Sequence, residues 1–196
     1  MCLFLLILLS CGKGKYRSDK NTAGYAAEHI TCVQTGYTTP QEVVAFARSL
    51  KGIRYQYGST DPAKGFDCSG FITYVFHHFG IMVPRVSVDF TPVEREISLN
   101  DARPGDLVLF TGTDTTTSEV GHMGILLTSP GQPPVFIHSS SGKNIGVIET
   151  PLDDYYMKRY VKTIRVFPQN EKNTANEVCS YNSNLANYAE WNLPGN

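Results

Sequence analysis

A cysteine that follows an aspartate and precedes two small residues heads an apolar run, GFDCSGFITYVFHHFG, over residues 65–80. Phe71, Val75 and Phe79 recur four apart, with Ile72 and Phe76 beside them, which predicts a helix with a broad buried face. Gly80 suits its end. Cys68 then falls in or just before the first turn, where unpaired backbone N–H groups and the positive end of the helix dipole favour a thiolate. On this stretch alone, a prepared nucleophile and a buried core cysteine are equally compatible readings. Two histidines extend the chemistry. GHMGILL (121–127) and PVFIHS (134–139) predict strands around a turn at SPGQP. Centred near Pro130 or Gly131, that hairpin sets His122 across from His138 or Ser140. Both spacings are even, so His122 and His138 share one face as direct or diagonal cross-strand neighbours. A base and its orienting partner need that geometry. Zinc bound by Cys68, His122 and His138 is the rival chemistry, but none of them has a short-spaced second ligand, so no metal is expected.

These residues need a scaffold. Thr39-Pro40-Gln41-Glu42 carries a capping threonine, a proline suited to the first helical position and a glutamate that completes a capping box. Val43, Val44, Phe46, Ala47 and Leu50 supply the buried stripe, and Gly52 stops this helix. Residues 53–65, with Gly58, Asp61-Pro62 and Gly65, read as a loop into the cysteine turn. In LNDARPGDLVLF (99–110) the unbroken apolar run at 107–110 predicts a strand covered on both faces, with Asp106 hydrogen bonding at its edge. His77 and His78 lie two to three turns beyond Cys68 and are expected at the surface or its boundary, not as ligands. NIGVIET and KTIRVF add two strands, with a short turn or helix in PLDDYYMKRY between them. The expected fold is α+β, with helices packed on an antiparallel sheet of about five strands and the cysteine at a helix N-terminus.

DCSG, PGDLVLF, GHMGI and FIHSS, in this order from about Val43 to Phe167, resemble the NlpC-type family of papain-like cell-wall cysteine peptidases. The resemblance implies amide hydrolysis of bacterial peptidoglycan stem peptides, typically at the bond between γ-D-glutamyl and a diamino acid such as meso-diaminopimelate. It implies Cys68 as nucleophile, His122 as base and His138 as the third polar residue. By motif position Tyr55, Asp67 and Ser69 would hold the free amino end of the stem peptide. Pro84-Arg85-x-Ser87 matches a Pro-Arg-x-Ser loop near the cleft, and the planar fork of Arg85 suits a substrate carboxylate or a structural partner. Ser59 stands where the family's second approach glycine is usual. No metal or organic cofactor is implied. Two other functions fit the same motifs: a peptidoglycan-binding protein that keeps the fold without the activity, and a related amidase or acyltransferase acting outside the wall.

The apolar start MCLFLLILLSC is too short to span a bilayer and reads as a secretory signal. LLSC resembles a lipobox, so Cys11 is the expected lipidation site and a membrane anchor at the cell envelope. The expected organisation is a signal and lipidated cysteine at 1–11, a tether at 12–37, the catalytic domain at 38–168 and an Asn-rich extension at 169–196. With Cys2 lost, Cys11 lipidated and Cys68 reduced, Cys32 and Cys179 remain. They form either a disulfide in an oxidising compartment or two unpaired thiols. The 196 residues suit one domain. A net charge of −1 carries no polybasic signature of nucleic-acid binding. A monomer is expected.

Overall fold

The structure is a computed structural model that describes residues 30–93, 95–114, 116–142 and 145–171. The expected signal, lipidation site, most of the tether, Cys179 and most of the C-terminal extension lie outside the described residues. Cys32 is disulfide-bonded, whereas Cys68 is a free thiol. Among the described residues no helix is long and apolar enough to cross a membrane.

Helix α1 spans Pro40–Ser49 and opens on the expected capping box. The Thr39 hydroxyl accepts from the Glu42 backbone N–H, and the Glu42 carboxylate accepts from the Thr39 N–H. Helix α2, Cys68–His77, carries Ile72, Thr73 and Val75, β-branched residues that disfavour an isolated helix. Tertiary burial overrides that preference. Phe71, Ile72, Val75 and Phe76 have no exposed surface, and each contributes about 1.5–3 kcal/mol by leaving water.

Among the described residues the sheet has six antiparallel strands: β1 Arg95–Ile97, β2 Leu107–Thr111, β3 Val120–Leu126, β4 Val135–Ser140, β5 Gly146–Pro151 and β6 Tyr160–Arg165. Their spatial order is β1-β6-β2-β3-β4-β5. Strand β2 lies inside the sheet, which explains its unbroken apolar run. Leu107 and Leu109 face the main core with α1 and α2, while Val108 and Phe110 face a second cluster with Leu126, Phe136, Leu152 and Tyr156. The short helix α3, Asp154–Met157, supplies Tyr156 to that second layer. The sheet of about five strands expected from the sequence has six, the added one being β1, a three-residue, largely exposed edge held by pairing to β6. Its polar residues show no alternation, and charged edges of this kind resist pairing with other chains.

Asp106 is fully buried at the start of β2. It accepts from the Arg103 N–H, from Arg165 and from Asn170, which anchors the turn after β6 to the domain. His77 and His78 are not buried, and the His78 ring stacks on Phe46 with centroids 3.7 Å apart.

Candidate active site

Asp67 builds the turn that presents Cys68. As the N-cap of α2 it accepts the Gly70 N–H on Oδ1, and Arg85 donates to both of its oxygens, Nη2 to Oδ2 at 2.7 Å and Nη1 to Oδ1 at 3.1 Å. Arg85 Nη1 also donates to the Ser69 hydroxyl at 3.1 Å. Both end nitrogens of Arg85 are therefore on the cysteine turn, so its fork is not presented open to a substrate carboxylate. The approach segment is fastened independently. Ser139, the residue after His138, donates its hydroxyl to the Phe66 carbonyl at 2.7 Å, and Val147 on β5 donates to the Ile53 carbonyl. Tyr55 bridges to Phe66 and stands close enough to Cys68 and Asp67 that burial first, and then the anionic forms of those two groups, push its phenol above the ordinary value. Ser87 donates to the Val120 carbonyl at 3.4 Å, which seats the loop after α2 beside the start of β3.

Gly70 leaves no room for a side chain. A Cβ there would stand 2.1 Å from the Ser59 carbonyl oxygen and 2.8 Å from Asp67 Oδ1. Gly70→Ala is expected to cost about 1–3 kcal/mol through overpacking against backbone. A lowered denaturant midpoint with unchanged m-value checks this, and a wild-type midpoint contradicts it.

Strand β3 carries a bulge where it meets the cysteine. Phe110 pairs with His122 and Thr111 with Val120, so Gly121 is skipped. Cys68 Sγ donates to the Gly121 carbonyl, 3.9 Å away. A Cβ at Gly121 would stand 2.7 Å from the Gly112 Cα, so the close backbone approach requires glycine. Bulges are a recurrent means of re-aiming groups beside a site.

The hairpin register pairs Ile125 with Ile137 and Leu126 with Phe136. Extended along the strands, it makes His122 and His138 diagonal neighbours on one face. His122 Nε2 lies 2.8 Å from His138 Nδ1, and His138 Nε2 lies 3.0 Å from the Thr150 hydroxyl on β5. The chain Cys68–Gly121–His122–His138–Thr150 thus runs across α2, β3, β4 and β5. Sequence reasoning misses Thr150. The signal that could find it is the β4–β5 register, in which Phe136 faces Thr150.

The charge states differ from the expected thiolate. Burial pushes the Cys68 thiol up to about 11, the neighbouring Asp67 carboxylate adds to the rise, and the N–H groups of Ser69 and Cys68 with Arg85 only partly offset it. Desolvation and a fixed anion here outweigh the helix start. Burial, then His138, then Arg159 hold His122 well below its ordinary 6.5, and burial followed by Arg159 holds His138 down to about 3. Thiol and both imidazoles are neutral at pH 7. Alkylation of Cys68 by iodoacetamide is accordingly expected to rise with pH beyond the ordinary thiol midpoint of about 8.5, with Cys68→Ala as the blank. A midpoint below 8.5 would restore the resting thiolate.

Comparison with known proteins gives this geometry a family. The model of the NlpC/P60 family matches residues 52–165, more than half of the 196-residue chain. The chain is 33% identical over 117 residues to the murein DD-endopeptidase MepS/murein LD-carboxypeptidase of Escherichia coli K12, covering 59% of this chain and 57% of that protein. It is 28% identical over 129 residues to the gamma-DL-glutamyl hydrolase of Bacillus subtilis 168, covering 66% of this chain and 30% of that one. The crystal structure of an NlpC/P60 family protein from Bacillus cereus superposes with a TM-score of 0.59 at 24% identity, covering 69% of this chain and 42% of that chain, and shows the same fold. The chain therefore spans between about a third and three-fifths of these curated relatives. Helices on an antiparallel sheet, a cysteine at a helix start and the matched 52–165 segment lead to one conclusion: the protein belongs to the NlpC/P60 family.

Proposed function

We propose that this protein is a cysteine endopeptidase that hydrolyses peptidoglycan stem peptides, cutting the amide between γ-D-glutamyl and a diamino acid such as meso-diaminopimelate. The observation that carries the reading is the free Cys68 thiol at a helix start, against a bulge whose next residue, His122, is bonded to His138. The activities for which the relatives are named, hydrolysis of γ-glutamyl and of murein peptide bonds, support the substrate class.

In the proposed reaction the Cys68 sulfur attacks the amide carbonyl carbon while its proton passes to His122, so the neutral resting pair needs no preformed thiolate. The backbone N–H of Cys68 faces the developing oxyanion. His122 then gives the proton to the leaving amine as the C–N bond breaks, leaving a thioester on Cys68. Water, deprotonated by His122, cleaves the thioester, releasing the carboxylic acid and restoring the thiol. His138 orients the His122 ring and is itself fixed by Thr150. Tyr55, Asp67 and Ser69 receive the free amino end of the stem peptide, with Arg85 holding the Asp67 carboxylate in place. The proposed place of action is the cell envelope, reached through a lipid anchor on Cys11.

Digestion of purified muropeptides followed by mass spectrometry tests the reading. Release of diaminopimelate-bearing peptides by the wild type, with L-alanyl-D-glutamate left on the muramyl sugar, is expected, and its absence with Cys68→Ala. The E. coli relative favours a second bond, the D,D cross-link, and conversion of muropeptide dimers to intact monomers would assign that one instead. Binding of muropeptides without any cleavage would overturn both.

A further inference from the structure

One buried cation takes no part in the reaction just described. Arg159, at the end of the turn between α3 and β6, is only 7% exposed. Its guanidinium spends its donors on uncharged oxygens: Nη2 on the Thr111 carbonyl at 2.8 Å and Nη1 on the Tyr155 hydroxyl at 2.7 Å. Its Nε is buried without a partner among the described residues. The Arg159 carbonyl in turn accepts the Thr111 N–H at 2.8 Å, so both sides of the Thr111 backbone are gripped by one residue. Such a buried charge is costly and calls for an explanation beyond packing.

Thr111 is the far side of the bulge that leaves Gly121 unpaired, and β6 skips Val161 at the same level, since Leu109 pairs with Lys162 and Phe110 with Tyr160. The end of β2 is therefore flanked by irregularities in both neighbours, where the ladder alone specifies position poorly. Arg159 also stands 5.9 Å from the centroid of the Tyr156 ring, which lies 6.3 Å from the His122 ring and 5.6 Å from the His138 ring. We propose that Arg159 is a positioning residue of the site: it clamps Thr111 and the α3 tyrosines, and so fixes both the bulge that aims Gly121 at Cys68 and the wall against which the histidine pair rests. Its charge has a second effect. The titratable and charged groups set against the histidine pair from the described elements around it are the two imidazoles on β3 and β4, Tyr156 on α3 and Arg159 before β6. A fixed cation in that set adds to burial in disfavouring a positive imidazole at rest.

The proposal rests on Cys68 and His122 being the reacting pair, so its test carries one readout that needs no substrate. Histidine ring titrations of the full chain by NMR are compared for wild type, Arg159→Lys and Arg159→Met, alongside kcat and KM on muropeptides. In Arg159→Met the His138 midpoint is expected to rise as the cation is lost. Its kcat is expected to fall about 10- to 100-fold with KM within about twofold, because misplacement of reacting groups has that cost. Arg159→Lys keeps the charge and loses the fork, so the midpoints stay and kcat still falls. If Arg159→Met does not fold, Arg159→Lys and Tyr155→Phe carry the test, each with reduced kcat and wild-type titrations. Wild-type kcat in all folded variants overturns the clamp, and an unmoved midpoint in Arg159→Met overturns the electrostatic role. If no variant, wild type included, cleaves muropeptides while the Arg159→Met midpoint still shifts, the assigned reaction has failed and the electrostatic role has not.

Discussion

Cys68→Ala is expected to abolish peptide release from muropeptides to the level of the buffer blank, and His122→Ala to lower it by about 10²–10⁴-fold, the usual range for loss of a general acid–base group. The expectation follows from the order of the proposed steps. With a neutral thiol pushed up to about 11, the sulfur becomes nucleophilic only as a base removes its proton, so the two residues act as one unit. Effects of such residues do not add, and Cys68→Ala/His122→Ala should be no worse than Cys68→Ala alone. His138→Ala should lose less, about 10- to 100-fold, because His122 keeps its position on β3 and loses only the partner at Nε2. Full activity in Cys68→Ala would sink the mechanism. A larger loss in His138→Ala than in His122→Ala would mean that the roles of the two imidazoles need exchanging.

The second large effect is on stability in acid. His138 is fully buried and held down to about 3, whereas in the unfolded chain it takes up a proton near 6.5. Between those values the unfolded state binds the extra proton, so stability rises with pH. The contribution of this group is fully present above pH 6.5. It is lost on acidification at about 1.4 kcal/mol per pH unit, on the order of 5 kcal/mol by pH 3. His122 shifts in the same direction, while the Asp106 carboxyl, raised by burial, acts oppositely at lower pH. Against a total folding free energy of about 5–15 kcal/mol, the histidine effect is sufficient to unfold a marginal domain. Urea midpoints at pH 7, 5.5 and 4.5 are expected to fall steeply for the wild type and less steeply for His138→Gln, which does not titrate. Parallel slopes in the two proteins would place the acid sensitivity elsewhere.

Much of the scaffold is legible in the sequence because it obeys local rules. The capping box at Thr39–Glu42, the helix headed by Cys68 and the unbroken apolar run of β2 each report which faces are buried, and burial periodicity is written residue by residue along the chain. The parity of the strand positions alone puts His122 and His138 on one face, and the resemblance names the family that the 52–165 match shows. Other features depend on residues far apart in sequence, and only tertiary structure decides them. Arg85 faces Asp67 and Ser69 because the loop after α2 folds back on the cysteine turn. Thr150 meets His138 through the register of β4 with β5, and Arg159 reaches Thr111 across 48 positions of chain. Edge strand β1 exists because β6 offers it hydrogen bonds, not because its three residues prefer extension. The charge of Cys68 shows the division most clearly. Helix position, visible in the sequence, favours a thiolate, but the water excluded around the sulfur and the carboxylate fixed beside it are properties of the packed molecule, and their larger opposing effect keeps the thiol protonated.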